Sequence, residues 1–261
     1  MDLGLRDKHV LITGGTRGIG LACARLYLQE GARVTLCGRS ASSRDAAIAE
    51  LNSGERVAAH LADLTDSAAA GRLVADVESQ DGRVDILVNC AGAAARRPFT
   101  ELDPAAWRGA MDAKFQSYIN VIDPLVKRMA ARGAGAIVNV IGMGGKFPRP
   151  VHLAGGSANA ALMLATAGLA LAYAPQGIRI NAVNPSLTVT ERLTEGLAAE
   201  ARQRGISEEQ ALREASASTP MRRLATVEEI ADTVVYLSSP RASYVSGAII
   251  NVDGAASVAV I

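Results

Sequence analysis

The sequence contains few cysteines, and their placement argues against a disulfide framework or a metal centre. Among 261 residues there are three cysteines, Cys23, Cys37 and Cys90, which lie far apart without CxxC spacing and without a histidine close to them in sequence. A zinc site or a reactive thiol needs ligand spacing or a nearby base. We therefore expect buried, unreactive thiols and no metal site, and a reactive thiol is the less favoured alternative.

The chain also lacks an excess of charge of either sign and a segment for membrane insertion. Its 27 basic and 26 acidic residues give a formal net charge of +1, so no strong field would attract nucleic acid or an anionic membrane surface. The N-terminal segment MDLGLRDKHV has no basic region followed by an apolar run, and no uninterrupted apolar stretch reaches bilayer-spanning length. We expect a soluble, cytoplasmic protein that binds neither nucleic acid nor a membrane.

Short apolar runs rich in Val, Ile and Leu recur between amphipathic segments. Runs without alternation are typical of strands buried on both faces, as in a parallel sheet covered by helices. The sequence therefore predicts an α/β fold, a Rossmann-type doubly wound parallel sheet, in one domain over residues 1–261. The predicted strands lie at 9–13, 33–38, 56–63, 85–92, 136–142, 178–185 and 248–254.

A polar, charged segment at about 187–226 departs from this alternation of strands and helices. Long insertions late in an α/β fold often cover a ligand site. We predict that this segment is a substrate lid.

A glycine-rich loop follows the first predicted strand. HVLIT runs into GGTRGIG and then into a helical pattern, with glycines at 14, 18 and 20. Glycines there allow a tight turn, let backbone N–H groups approach a pyrophosphate, and allow the helix to pack on the strand. Because a strand precedes the loop and a helix follows it, we predict a nucleotide site.

Several motifs in the same order resemble the short-chain dehydrogenase/reductase (SDR) family. They are TGGTRGIG at 13–20, NCAG at 89–92, HLADLTD around Asp63, GAIVNV at 135–140, GIRINAVNP at 177–185, RRLATVEEIADTVVYLSS at 222–239 and SGAIINVDG near the end. The resemblance covers nearly the whole chain. It implies a nicotinamide cofactor and hydride-transfer chemistry.

The resemblance also indicates which cofactor is bound. Where the family places an acidic residue that selects NAD, this chain has Gly38 followed by Arg39. Arg39 and Arg17 would bind a 2′-phosphate, so NADP(H) is expected, although either arginine is alternatively an ordinary surface charge. The cofactor-binding residues implied by the resemblance are Gly14, Thr16, Arg17, Gly18, Ile19, Gly20, Arg39, Asp63, Leu64, Asn89, Ala91, Gly92 and Thr190.

The family's catalytic tetrad of Asn, Ser, Tyr and Lys has no counterpart in the alignment. Its positions are occupied by Lys114, Gly142, Gly155 and Asn159, and no tyrosine lies between Tyr118 and Tyr173. Losing a positioned general acid typically costs about 10²–10⁴-fold in rate. The resemblance therefore implies a degenerate site that lacks the usual machinery for proton transfer.

Three functions follow from this alignment. The expected one is an NADP(H)-binding, non-catalytic protein, that is, a pseudoenzyme or a partner subunit. It would form a homo-oligomer or a hetero-oligomer with a paralogous SDR protein, through helices at 104–132 and 156–174. The alternatives are an enzyme with unusual chemistry that uses Lys114 or His152, and an NADP-dependent oxidoreductase with a non-standard acid. Competing interpretations make Lys114 a structural cation bonded to Asn159 and backbone carbonyls, and His152 an ordinary loop histidine.

Overall fold

The computed structural model describes residues 2–92, 97 and 99–257. Within them, seven strands form one sheet: β1 His9–Thr13, β2 Arg33–Gly38, β3 Val57–Leu61, β4 Ile86–Asn89, β5 Gly135–Val140, β6 Ile178–Pro185 and β7 Ile249–Val252. All neighbours pair in parallel in the order β3-β2-β1-β4-β5-β6-β7. The order reverses between β1 and β4, where such sheets bind ligands. The predicted single-domain Rossmann fold is confirmed.

Helices cover both faces of this sheet. Apolar side chains of α1 and α9 form one core with the sheet, and those of α3, α5 and α6 form the other. Both faces are therefore dry, which explains the unbroken apolar runs in the strands. The helices are α1 Gly18–Gln29, α2 Ala41–Leu51, α3 Ser67–Gln80, α4 Pro104–Ala110, α5 Ser117–Arg132, α6 Leu153–Tyr173, α7 Glu191–Arg204, α8 Glu208–Ala217 and α9 Val227–Ser238.

The helix predicted at 104–132 is not continuous. A π-helical turn, Met111–Gln116, lies between α4 and α5. Such turns are rare and occur frequently at functional sites. This one buries Lys114, whose ammonium reaches the carboxyl end of β5. The helix predicted at 156–174 starts three residues earlier, at Leu153.

A chain of buried polar side chains ties α6 to the sheet. The Thr13 hydroxyl donates to Asn89 Oδ1 (3.1 Å), Asn89 Nδ2 donates to Asn139 Oδ1 (3.0 Å), and Asn139 Nδ2 donates to Thr166 Oγ1 (3.0 Å). Buried polar groups are costly unless they are paired in this way. The chain therefore sets the position of α6, and of the candidate site residues near its start, relative to β1, β4 and β5.

Helix α6 is unusually apolar. With its flanking turns, Pro150–Gln176, it is long and apolar enough to cross a membrane by length and composition alone. Polar residues such as Asn159 and Thr166 interrupt it, and its inner face packs in the core. Its outer face exposes Leu164 (77%) and Leu171 (81%). The inner face is that of a core helix, whereas the outer face is available for contact.

The two ends of the segment predicted as a lid lie next to each other. Thr188 and Ala225 form a parallel bridge, and Val189 N donates to Ala225 O at 2.8 Å. Between these points lie α7 and α8. Thr190 caps α7 by accepting from Leu193 N. The insertion at 187–226 is therefore anchored at both ends beside β6, and its role as a lid stays a prediction.

The start of α9 contains an ion pair that makes a testable contribution to stability. Glu229 accepts two hydrogen bonds from Arg223 and one from Thr226 N, and these hold the pKa of Glu229 at about 2. Because this pKa lies below the ordinary value of 4.5, the stabilisation is present above about pH 4.5 and is lost as the pH falls towards 2. Glu229→Gln should lower the melting temperature at pH 7. By pH 3 the difference from wild type should shrink, and equal melting temperatures at pH 7 would contradict this account.

Candidate active site

The glycine-rich loop and the NCAG segment are packed too closely for side chains. A Cβ on Gly20 would lie 2.3 Å from the Gly14 carbonyl oxygen, and a Cβ on Gly14 would lie 2.8 Å from Ala91 Cα. Arg17, which is exposed and extended, precedes α1, and no side chain among the described residues caps this helix start. An uncapped helix start beside a glycine loop is suited to binding a phosphate group.

Residues at the ends of β2 and β3 border the same loop. A Cβ on Gly38 would lie 2.9 Å from Thr16 Cγ2, so Gly38 packs on the glycine loop and is followed by the exposed Arg39. Asp63 accepts from the Thr65 amide (3.0 Å) and hydroxyl (2.8 Å); these bonds, with a smaller effect from Arg39, lower the pKa of Asp63. The residues predicted to bind the adenosine part of the cofactor therefore lie together at one edge of the sheet.

The remaining predicted cofactor residues lie close by. Thr190 Cγ2 would be 3.6 Å from a Cβ on Gly18, which places the beginning of the 187–226 segment beside the start of α1. A Cβ on Gly92 would lie 2.0 Å from the Ala113 carbonyl oxygen, so the NCAG segment contacts the π-helical turn. Leu64 and Asn89 are buried, while Ile19 is half-buried. The NCAG segment, predicted to bind the cofactor, is therefore in direct contact with the π-helical turn that carries Lys114.

Lys114 is buried, and its ammonium contacts Tyr118 and the backbone at the end of β5. Its Nζ donates to Tyr118 Oη (2.7 Å) and to the Val140 carbonyl (3.0 Å), and it lies 4.4 Å from the centroid of the Tyr118 ring. The Tyr118 hydroxyl donates to the same carbonyl at 2.6 Å, and burial raises the pKa of Tyr118. This geometry is that of a cation held by a backbone carbonyl, since the ammonium donates and an amine nucleophile would need a free lone pair.

His152 lies in a slot formed by two glycines. A Cβ on Gly155 would lie 2.2 Å from His152 Cε1, and a Cβ on Gly144 would lie 2.9 Å from His152 Cδ2. Any larger residue at either position would displace the imidazole. Gly155 stands where the resemblance places the catalytic tyrosine, so the ring of His152 occupies the space into which that side chain would extend.

Asn159 and Gly142 lie next to this slot. Asn159 is 5% exposed, and its Nδ2 would be 3.4 Å from a Cβ on Gly142 and 3.5 Å from one on Gly144. Gly142 has φ +129° and ψ 150°, a conformation that is essentially restricted to glycine. Its amide donates to Asn184 Oδ1 at 3.3 Å. The positions assigned to Ser, Tyr and Lys are therefore adjacent, and the backbone at 142 is suited to glycine alone.

None of the three thiols forms a disulfide. Cys23, Cys37 and Cys90 are free. Burial raises the pKa of Cys37 to about 12, and the contact with Cys90, together with burial, raises that of Cys23. Among the described residues no group of three or more His, Cys, Asp or Glu side chains is arranged to hold a metal ion. The candidate chemistry therefore depends on His152, Asn159 and the buried Lys114.

A parallel sheet with a glycine-rich loop at its switch point and polar groups at the carboxyl ends of its strands defines a dinucleotide-binding oxidoreductase fold. Comparison with known proteins gives the same class. Residues 14–256 match the sequence profile of the enoyl-(acyl carrier protein) reductase family.

Two relatives and one solved structure match almost the full chain. The cis-4-hydroxycyclohexanecarboxylate dehydrogenase of Sinomonas cyclohexanicum is 34% identical, over 95% of this chain and 96% of its own. The galactitol 2-dehydrogenase (L-tagatose-forming) of Cereibacter sphaeroides is 37% identical, over 93% and 92%. The L-sorbose reductase of Gluconobacter frateurii, solved with NADPH and L-sorbose, superposes with a TM-score of 0.92 at 30% identity, over 97% and 98%. The chain belongs to the short-chain dehydrogenase/reductase family.

These matches correct the functional prediction. The expectation of a non-catalytic protein or partner subunit is wrong, because similar chains of almost the same length are named as dehydrogenases and reductases. They point to a catalytic oxidoreductase. The description of the site as that of a pseudoenzyme is likewise not supported.

Proposed function

We propose that this protein is an NADP(H)-dependent oxidoreductase that interconverts a carbonyl and a secondary alcohol, with His152 as the group that exchanges the proton. The observation that carries the proposal is the position of the His152 imidazole between Gly144 and Gly155. The prediction of NADP(H) as the cofactor is confirmed, since the structural neighbour was solved with NADPH. Imidazole exchanges a proton readily near neutral pH, as this role requires.

Within this proposal, the family tetrad is replaced rather than merely lost. Gly142 and Gly155 leave space, His152 fills part of that space, and Asn159 presents an amide beside it. Glycine at 155 is then a requirement of the site, because a side chain there would expel the imidazole. Gly142, Gly155 and Asn159 thus form one arrangement beside a histidine.

The residues of the chain would bind the cofactor and transfer the proton. NADPH, when bound, supplies the hydride. The glycine loop and the start of α1 would bind its phosphates, and Arg17 and Arg39 its 2′-phosphate. As the substrate carbonyl carbon accepts the hydride, the protonated His152 donates a proton to the carbonyl oxygen. Oxidation of the alcohol is the reverse, with neutral His152 accepting that proton.

Asn159 and Lys114 would stabilise the charge that develops on the oxygen. Asn159 Nδ2 is a buried donor at the edge of the slot, and donors fixed in advance contribute most where charge develops. Lys114 is a positive charge fixed on the Val140 carbonyl, two residues before Gly142. We assign it an electrostatic role and not that of an amine nucleophile.

The substrate class follows from the relatives. Their names describe the oxidation of a hydroxyl group on a ring carboxylate and on a polyol, and the structural neighbour reduces a ketose. We propose a small hydroxy or oxo compound as substrate, covered by the segment at 187–226.

Two further proposals complete this picture. We propose an oligomer, a homo-oligomer or one with a paralogous family member, formed through α6, since Leu164 and Leu171 leave an apolar stripe on its outer face. A cytoplasmic location is supported by the three cysteines, which are free although two of them are fully buried.

Cofactor choice gives a prediction at Arg39. Arg39→Ala should lower the preference for NADPH over NADH by about 10–100-fold, since a charge-assisted hydrogen bond contributes about 1.5–3 kcal/mol. The matched control is Arg72→Ala on α3, which removes an exposed arginine without an ion pair among the described residues. Calorimetric titration of both nucleotides measures the ratio. An unchanged ratio in Arg39→Ala would show that this arginine is an ordinary surface charge.

The proposed reaction is tested by following deuterium. The wild-type protein is incubated with NADPH deuterated on the transferred C4 position and a panel of small ketones that includes 4-oxocyclohexanecarboxylate and L-sorbose. We expect the alcohol product to carry one deuterium on the former carbonyl carbon. If NADPH binds and none of the ketones yields a deuterated alcohol, the proposal is wrong.

A further inference from the structure

The walls of the candidate active site are free of carboxylates over a long stretch of the chain. From Pro124 to Thr190 the sequence contains no aspartate or glutamate. This stretch covers β5, α6 and β6 with the loops that join them, and so includes Gly142, His152 and Asn159. Basic residues are present in the same stretch, so the net charge of this stretch is positive.

Two of these cations are attached to the two walls of the His152 slot. Lys146 N donates to the Met143 carbonyl (3.0 Å) and thereby closes the short turn Met143–Gly145, which supplies the Gly144 wall. On the other side, the Arg149 carbonyl accepts from His152 N at 2.8 Å, so Arg149 begins the turn that carries the imidazole. Lys146 therefore follows the turn that supplies one wall of the slot, and Arg149 begins the turn that carries the imidazole.

The positive charges of Lys146 and Arg149 have no acidic partner among the described residues. Across residues 2–92, 97 and 99–257, neither Lys146 nor Arg149 forms an ion pair, although the Lys146 residue is half-buried. Acidic residues on adjoining elements include Glu101, whose helical turn Phe99–Glu101 contacts the turn of His152, and Asp112 in the π-helical turn that packs on α6. Glu191 begins α7, and all three residues are exposed. The basic Arg97 is joined to the same turn through its N–H bond to the Val151 carbonyl (3.1 Å).

Cations without a counter-charge form charge-assisted hydrogen bonds with the oxygens of an anionic ligand. We infer that the substrate carries an anionic group, a carboxylate or a phosphate, and that Lys146 and Arg149 bind it while the carbonyl lies at His152. The position of the carbonyl rests on the proposed function, whereas the binding of the anion does not require turnover.

The inference is tested with two ring compounds of the same shape, cyclohexanecarboxylate and cyclohexanecarboxamide. Each is titrated by calorimetry into the NADP⁺-loaded wild type, the Lys146→Gln/Arg149→Gln double variant and the control Arg72→Gln. We expect wild type and the control to bind the carboxylate about 10–100-fold more tightly than the amide. The double variant should lose that preference, and added salt should reduce it in wild type.

A second readout separates this inference from the proposed reaction. The kcat/KM values for 4-oxocyclohexanecarboxylate and its carboxamide are compared in the same three proteins. Equal turnover of acid and amide overturns the inference and leaves the reaction standing. Preferential binding of the carboxylate that depends on Lys146 and Arg149, without turnover, supports the inference and contradicts the reaction. Equal binding of acid and amide, or binding of neither, overturns the inference.

Discussion

His152→Gln lowers kcat/KM for carbonyl reduction by about 10²–10⁴-fold, the range expected for loss of a positioned general acid. Glutamine retains a polar side chain of similar length that fits between Gly144 and Gly155, but it does not donate a proton to a developing alkoxide. Because His152 lies in the substrate part of the site, the affinity for NADPH should stay at its wild-type value. Steady-state kinetics together with calorimetry measure both quantities.

The control for this change is His60→Gln on β3. His60 pairs with Asp81 at 3.0 Å on the edge strand β3, which three other strands separate from β5 and the His152 slot. The same chemical replacement there should leave kcat/KM within about twofold of wild type, as expected for a site remote from the chemistry. If His152→Gln retains wild-type kcat/KM, the proton comes from another group.

Gly20→Ala removes NADPH binding almost completely. Its methyl group would lie 2.3 Å from the Gly14 carbonyl oxygen and 2.9 Å from the Gly14 carbonyl carbon, so α1 must move away from the loop. Loss of two phosphate hydrogen bonds, at about 1.5–3 kcal/mol each, corresponds to a loss of affinity of at least about 100-fold. Calorimetric titration with NADPH gives the affinity.

Gly71→Ala provides the matched control. Gly71 lies within α3, and a Cβ there meets nothing within 4 Å. Alanine favours the helix by about 1 kcal/mol, so this variant should melt higher and bind NADPH normally. Circular dichroism establishes that both variants fold. A folded Gly20→Ala protein with wild-type affinity would contradict the assignment of the cofactor loop.

The sheet could be predicted because its signals are local. Seven apolar runs without alternation correspond to the seven strands, with differences of a few residues at their ends. The break in the helix at 104–132 could not be predicted in this way. It depends on tertiary contact, since the π-helical turn packs Ala113 against Gly92, a residue of a distant segment.

The composition of the site was only partly predictable. Lys114 and His152 were recognisable as candidates from the alignment, and the spacing of four residues between Lys114 and Tyr118 was visible in KFQSY. That spacing does not indicate that both side chains meet at the Val140 carbonyl, because the orientation of the helix depends on its packing. The conformation of Gly142 was equally hidden, since glycine is compatible with many backbone angles.

The prediction of a non-catalytic protein is wrong because similar chains are named dehydrogenases and reductases. It rested on Gly155, since a sequence alignment pairs single positions and a glycine in place of a tyrosine then predicts a lost function. In the folded chain a side chain from another position fills the space, and His152 reaches it from three residues earlier. The slot also requires Gly144, which lies on a separate turn and has no counterpart in the tetrad.

Chemical rescue of His152→Ala with free imidazole tests the central claim most directly. This variant leaves a cavity between Gly144 and Gly155 that has the shape of the missing ring. We predict that added imidazole restores ketone reduction with a saturating dependence on its concentration and leaves the NADPH affinity unchanged. A variant that binds NADPH normally and reduces ketones at the same rate with and without imidazole would contradict the assignment of His152 as the proton donor.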